Sequence, residues 1–344
     1  MSTLRATAQA LVAPGKGLLA MDESVGTCDK RFAEVGLVPT AQGRHAYREL
    51  LATTPGLGAY ISGAILHEET LQQKAHDGTP LVEVLADMGI AAGIKVDGGT
   101  VELAGQPGER VTEGLDGLRE RLKISAQQGA RFAKWRAVLR IGVGWPSGAC
   151  MAANAHALAR YAALCQEASL VPIVEPEVLM EGNHTIERCQ AVTGEVLHHV
   201  FHQLHCQGVQ LEGMLLKPNM VLPGLASPVQ ASLDEVADAT LACLLREVPA
   251  AVAGVAFLSG GQPSELASAR LNAMHLQGIG KEGVVPDLPW PLTFSFARAL
   301  QQPALQLWAR DPENPAAAQQ ALLHRARCNS AALRGAYHPQ MEKA

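Results

Sequence analysis

The sequence predicts an α/β protein: a single-domain (β/α)8 TIM barrel over residues 1–334 and a mobile C-terminal tail over 335–344. Three observations predict it. Short apolar, often β-branched runs recur along the 344 residues. Longer stretches with apolar residues at helical spacing separate them. No repeat of fixed short period, low-complexity tract or Pro/Ser/Gly linker divides the chain in two. Any one run also fits a buried helix segment, but eight of them over about 280 residues match the usual size of such a barrel.

Taken in order, the runs are Gly17 to Met21, Ile61 to Leu66, Ala91 to Val96, Trp135 to Ile141, Leu170 to Val174, Gly213 to Leu216, Ala253 to Leu258 and Leu292 to Phe296. A barrel of this kind carries its chemistry where strands end, so the polar residues that interrupt or follow the runs are the informative ones. The first run ends in Asp22-Glu23-Ser24 and the third in Lys95-Val96-Asp97. Lys134-Trp135-Arg136 lies near the start of the fourth. The fifth ends in Glu175-Pro176-Glu177, the sixth in Lys217-Pro218-Asn219 and the seventh in Ser259-Gly260-Gly261, and Arg298 follows the eighth. Between the runs, Leu115 to Gln128, Ala152 to Glu167, Thr185 to His205 and Ser232 to Glu247 read as helices of the outer ring. Beyond them, Gly335, Tyr337 and Pro339 mark the tail.

The composition narrows the function. With 48% hydrophobic and 18% charged residues the chain buries a large core. A formal net charge of −5 gives no general attraction to polyanions, which argues against a nucleic-acid partner, and any phosphate site must be built from a few local cations. Seven cysteines without a CxxC pair read as reduced thiols. No apolar run is long enough to span a membrane and no leader pattern opens the chain, so the expected setting is cytoplasmic.

An ammonium directly after Met214-Leu215-Leu216 is either a snorkelling surface charge or a buried functional amine. Lys217 ends an interior-type run and precedes a proline, which places it at the barrel mouth. An ordinary lysine is only ~0.04% neutral at pH 7, so a nucleophilic one needs burial or a neighbouring cation, and Lys134 is the candidate cation. Glu175 and Glu177 point to the same side of an extended segment. Paired acids suit proton transfer, although two lysines and two acids on adjoining strands also suit a structural ion-pair network. Ser259-Gly260-Gly261 is either a bare turn or an anion cradle to which Arg298 adds charge. Ser24, Thr27 and Lys95 offer a second anion site across the mouth.

Leu19-Ala20-Met21-Asp22-Glu23-Ser24 resembles the strand-one motif of class I fructose-bisphosphate aldolases. Gly93 to Asp97, Gly114 to Leu118, Phe132 to Arg136, Val171 to Glu177, Leu215 to Val221, Phe257 to Gly261 and Leu292 to Leu300 are similar to further signatures of that family, in order over nearly the whole chain. The resemblance implies reversible cleavage of fructose 1,6-bisphosphate, in glycolysis and gluconeogenesis, through an iminium on Lys217 and with no metal or other cofactor. It implies that Glu175 shuttles protons, Asp22 deprotonates the C4 hydroxyl, Glu177 orders the network and Lys134 tunes Lys217. Ser259, Gly260 and Arg298 would hold the C1 phosphate, and Ser24, Thr27, Lys95 and Arg136 the distal one. The expected partners are small-molecule sugar phosphates and further copies of the chain in a homotetramer.

Some positions depart from the family. Thr27 replaces a serine and Gly98 a lysine or threonine, and Ala297 stands where glycine often precedes the phosphate-binding arginine. Gly278 to Leu288 departs more and is expected to shape the mouth. Animal members end in a tyrosine that assists proton exchange, whereas this chain ends Met341-Glu342-Lys343-Ala344, with Tyr337 at a different position. His198, His202, His205 and Cys206 have helical ligand spacing, but with His199 they read as solvated side chains of an outer helix. Gly142 to Gly148 has GxGxxxG spacing and an internal proline, which does not fit a dinucleotide loop.

Overall fold

The runs become strands because they are short, apolar and bounded by turns, several of them also carrying β-branched or aromatic residues. The computed structural model describes residues 2–278 and 288–343. Its strands are β1 (Gly17–Met21), β2 (Ile61–Leu66), β3 (Ala91–Lys95), β4 (Thr100–Glu102), β5 (Arg110–Thr112), β6 (Phe132–Leu139), β7 (Val171–Val178), β8 (Leu215–Leu216), β9 (Val255–Phe257) and β10 (Leu292–Phe296). A closed parallel barrel runs β1-β2-β3-β6-β7-β8-β9-β10 and back to β1, with helices between its strands, so all eight predicted runs become staves. β4 and β5 form a separate antiparallel hairpin that the sequence reading did not anticipate.

Two staves differ from expectation in ways that move reactive residues. β6 starts at Phe132 rather than Trp135, so Lys134 lies inside the strand, opposite Lys95 and Ile173. β7 does not stop at Val174 but continues through Glu175, Pro176 and Glu177 to Val178. The N–H groups of Val171 and Leu179 donate to Arg131 and Leu139 on the β6 side, whereas that of Val178 donates to the Asn219 side chain on the β8 side. By this alternation the nitrogens of Pro172 and Pro176 face β8, the shortest stave. The missing donors therefore remove few ladder bonds.

Alternation along the staves divides the interior into two levels. The lower level is apolar: Leu18, Ala20, Ile65, Phe132, Val171, Ile173, Leu215 and Ala256 form one buried cluster with Leu4, Ala8, Leu11 and Val12. These last residues belong to the helix Ser2–Leu11 and its exit, which cover the N-terminal ends of the strands. Phe132 fills the axis because Gly63 and Gly93 leave room: a methyl on Gly93 would lie 2.2 Å from its ring. Outward-facing residues pack on the helices. Trp135 lies against Tyr161, whose hydroxyl donates to the Ala133 carbonyl at 2.7 Å.

The four predicted outer helices are present as Leu118–Gln127, Gly148–Glu167, Ile186–Cys206 and Leu233–Glu247. Thr185 and Ser232 are caps rather than first turns, accepting from the N–H groups of Arg188 and Glu235. Among the described residues no helix is long and apolar enough to cross a membrane. Of the segment expected to shape the mouth, residues 279–287 lie outside the described residues.

The tail expected to be mobile contacts the outer helices in this structure. The Tyr337 N–H donates to Asn272 Oδ1 at 2.9 Å and its ring is buried, while Glu342 pairs with Arg325. The last long helix ends at Ala332, with Gly335 in the left-handed region after it, and Arg325 on that same helix holds Glu342.

Candidate active site

Where the lower level ends, the same inward positions become charged. Along β6, Phe132 is followed by Lys134 and Arg136. Along β7, Ile173 is followed by Glu175 and Glu177, and past β8, Leu215 by Lys217. The Lys217 N–H donates to the Val174 carbonyl at 2.8 Å, continuing the ladder one residue beyond the strand. Lys217, Lys134, Glu175 and Asp22 are all buried, so the snorkelling reading of Lys217 does not apply.

These four side chains form one connected group. Glu175 bridges two cations, with Oε1 3.1 Å from Lys217 Nζ and Oε2 3.2 Å from Lys134 Nζ. Lys134 also pairs with Asp22 Oδ2 at 2.7 Å. Two ammonium and two carboxylate groups balance in charge, which is what permits their burial. Burial alone would raise the Asp22 pKa, but Lys134 and then Lys217 outweigh it and hold the carboxyl at about 2. Burial likewise opposes the charge on Lys134, yet Asp22, Glu175 and Asp97 hold its pKa above the ordinary lysine range. Beyond its ion pair with Lys134, Glu175 Oε2 is buried without a further hydrogen-bond donor.

Glu177 stands apart from this group, because its carboxylate is taken by the Arg136 guanidinium instead of by either lysine. Burial opposes the Arg136 charge, but Glu177 and Glu175 raise its pKa above the usual value. Arg136 is the more exposed partner and reaches toward the mouth. Lys95 pairs with Asp97 Oδ1 at 2.6 Å, and Asp97 Oδ2 accepts the Arg136 backbone N–H at 3.2 Å. Asp97 therefore holds the Lys95 ammonium and the backbone from which Arg136 projects, the two cations expected at the distal phosphate. The sequence reading placed it at a strand end without assigning it to the site; the Lys-Val-Asp spacing was the available signal.

Two helix starts carry residues expected from sequence to bind anions. Ser24 caps the helix Val25–Glu34, accepting the Thr27 N–H, and its hydroxyl lies 3.0 Å from the Thr27 hydroxyl. The neighbouring Glu23 turns away, paired with Arg31. Arg298 opens the helix Arg298–Arg310. Gly260 and Gly261 have φ of 60° and 94°, and a methyl on Gly261 would lie 2.8 Å from Arg298 Nη2. The two glycines thus bring the seventh and eighth strand ends together, with Ser259 buried beside them. Ala297 has a φ of −99°, so its backbone does not require the glycine usual in the family. Asn219, also unassigned from sequence, joins β7 to the loop after β8 through Val178 and reaches Thr193 at 3.2 Å. On the outer helix, Cys206 Sγ lies 3.7 Å from His202 Nε2, and both are exposed, as expected of solvated residues.

A family model described as class I fructose-bisphosphate aldolase matches residues 3–344. A probable fructose-bisphosphate aldolase class 1 of Xanthomonas campestris pv. campestris is 56% identical, over 96% of this chain and 97% of the relative. A cytosolic fructose-bisphosphate aldolase 6 of Arabidopsis thaliana is 52% identical, over 97% and 91%. A solved structure of the aldolase from Plasmodium falciparum, in complex with TRAP and a small-molecule inhibitor, superposes with a TM-score of 0.94 at 49% identity, covering 98% of this chain and 95% of that one. A closed eightfold barrel and matches of this extent carry one conclusion: the chain belongs to the class I fructose-bisphosphate aldolase family.

Proposed function

We propose that Lys217 forms the Schiff base through which this aldolase cleaves fructose 1,6-bisphosphate to dihydroxyacetone phosphate and glyceraldehyde 3-phosphate. One observation carries the reading: Lys217 Nζ is buried inside the barrel, 3.1 Å from a carboxylate able to take its proton. The proton passes to Glu175, and the neutral amine attacks the C2 carbonyl. The protonated Glu175 then gives its proton to the departing carbinolamine hydroxyl, which leaves as water and yields the iminium. Throughout, the Lys134–Asp22 pair stays ionised and charge-neutral.

Asp22, ionised at neutral pH, accepts the C4 hydroxyl proton. As the C4 oxygen becomes a carbonyl, the C3–C4 bond breaks and its electron pair moves through C2 to the iminium nitrogen, giving the enamine. Lys134 holds Asp22 in place. Glu177 acts by orienting Arg136 rather than by contact with Lys217. Ser259, Gly260 and Arg298 take the C1 phosphate, and Ser24, Thr27, Lys95 and Arg136 the distal one; helix N-termini, left-handed glycine backbone and fixed guanidinium groups support these assignments. A homotetramer in the cytoplasm belongs to the same reading, supported by the cytosolic Arabidopsis relative for the compartment; a light-scattering mass tests the assembly.

Borohydride reduction with dihydroxyacetone phosphate and a chelator present, followed by peptide mass mapping, tests the mechanism. A substrate-sized adduct on Lys217 is expected. An adduct elsewhere, or none on an active enzyme, would remove Lys217 from the mechanism.

A further inference from the structure

Away from the strand ends, the close of the chain gathers three metal-ligand side chains. His324 and Cys328 lie one turn apart on the helix Ala316–Ala332, with Nε2 and Sγ 3.5 Å from each other. Glu342 arrives from the tail and places Oε2 3.6 Å from the same His324 nitrogen. The three ligand atoms all lie within 4.8 Å of one another, and among the described residues no other trio of His, Cys, Asp or Glu meets that spacing.

The spacing has a chemical meaning. Zinc binds nitrogen, oxygen and sulfur at about 2.0–2.3 Å with tetrahedral angles, which sets ligand-to-ligand edges of roughly 3.3–3.6 Å. Both measured edges from His324 already have that length. The three types of donor also suit a borderline-soft ion better than a hard one. Cys328 is fully buried, whereas the His324 side chain is 27% exposed, which leaves an open side for a water as fourth ligand.

Glu342 is also held by Arg325 Nη1, which donates to both carboxylate oxygens, and by the Tyr337 hydroxyl, which donates to Oε1 at 2.8 Å. A carboxylate has about four lone-pair sites, so these bonds orient Glu342 and leave one further lone pair of Oε2 toward His324. A thiolate and a carboxylate against one guanidinium still leave one net negative charge to face a cation.

We propose that His324, Cys328 and Glu342 form a binding site for a divalent transition ion of zinc's class, which fastens the tail to the barrel and takes no part in cleavage. On binding, the Cys328 thiol releases its proton to solvent as the metal–sulfur bond forms, and no electron is transferred. Affinity therefore falls as the solution is acidified.

The test titrates the full chain with Co2+ and then Zn2+, with cleavage activity followed alongside. One equivalent of Co2+ should give a thiolate-to-cobalt charge-transfer band that Zn2+ bleaches. Cys328→Ser should abolish the band, and Glu342→Gln should weaken binding at least tenfold. Cys206→Ser, which removes the exposed thiol beside His202, should leave the band intact, and activity should persist in every variant. If Cys328→Ser loses activity through misfolding, His324→Gln takes its place. Absence of the band, its survival in the Cys328 or His324 variant, or its loss in Cys206→Ser would overturn the site and leave a thiol–imidazole hydrogen bond beside an ion pair.

Discussion

The two levels of the barrel interior are built from the same staves yet solve opposite problems. Below, Leu18, Phe132, Ile173 and Leu215 meet around an axis that Gly63 and Gly93 keep clear, and stability comes from filled volume. Above, the next inward positions hold Asp22, Lys134, Glu175 and Lys217, where no charge can be removed without leaving its partner unmatched. The difference shows how a strand carries both roles at once: alternation fixes direction, while depth along the stave decides whether an inward side chain packs or reacts. The lower level gives rigidity to the upper, whose chemistry depends on amine and carboxylate staying within proton-transfer distance.

The comparison breaks most severely at Lys217. Lys217→Met should lower kcat by ~10^4-fold or more with the fold retained, because the nucleophile is lost while Glu175 keeps Lys134; steady-state kinetics and circular dichroism together check this. Glu175→Gln should reduce kcat by roughly 10^3-fold, and single-turnover trapping should show that iminium formation itself has slowed. In the lower level, Gly93→Ala drives a methyl into the Phe132 ring and should destabilise the protein by about 3 kcal/mol, seen as a lower urea midpoint with unchanged slope.

Acid should separate the levels. The Asp22 carboxyl is held at about 2, below its unfolded value of about 3.9. The folded state therefore binds that proton less readily than the unfolded chain, and the resulting stability is complete above about pH 4 and lost as pH falls toward 2. The expected contribution is ~2 kcal/mol, and Asp22→Asn should flatten that part of the stability curve. The smallest effect belongs to the tail. Tyr337→Phe removes the bond to Glu342 and should cost about 1 kcal/mol without changing cleavage, whereas a slowed chemical step would give Tyr337 a catalytic part.

Much of this was legible in sequence. Eight apolar runs became eight staves, and the reactive residues were visible as polar interruptions of apolar segments, a pattern burial makes conspicuous. Less legible was anything that depends on a partner strand. Pro176 reads as a stop until β8 proves too short to need its donor. Asp97 resembles a residue at a turn until Lys95 and Arg136 converge on it. The partners of the tail are likewise invisible in sequence: Tyr337 meets Asn272 and Glu342 meets Arg325. Positions were more legible than pairings: Glu177 occupies the expected place but pairs with Arg136 rather than with a lysine.

The helix Ser2–Leu11 covers the base of the barrel with Leu4, Ala8 and Leu11. At the other end, the proposed tether on Lys217 orders the traffic. After cleavage, the ketone half remains tethered to Lys217 while the aldehyde half is free, so the aldehyde departs first and the ketone follows once its tether is hydrolysed. Run in reverse, the ketone must load before the aldehyde, and an aldehyde that enters early occupies the passage its partner requires. The tether thus imposes a sequence of arrivals and departures, while the N-terminal helix covers the opposite end of the barrel.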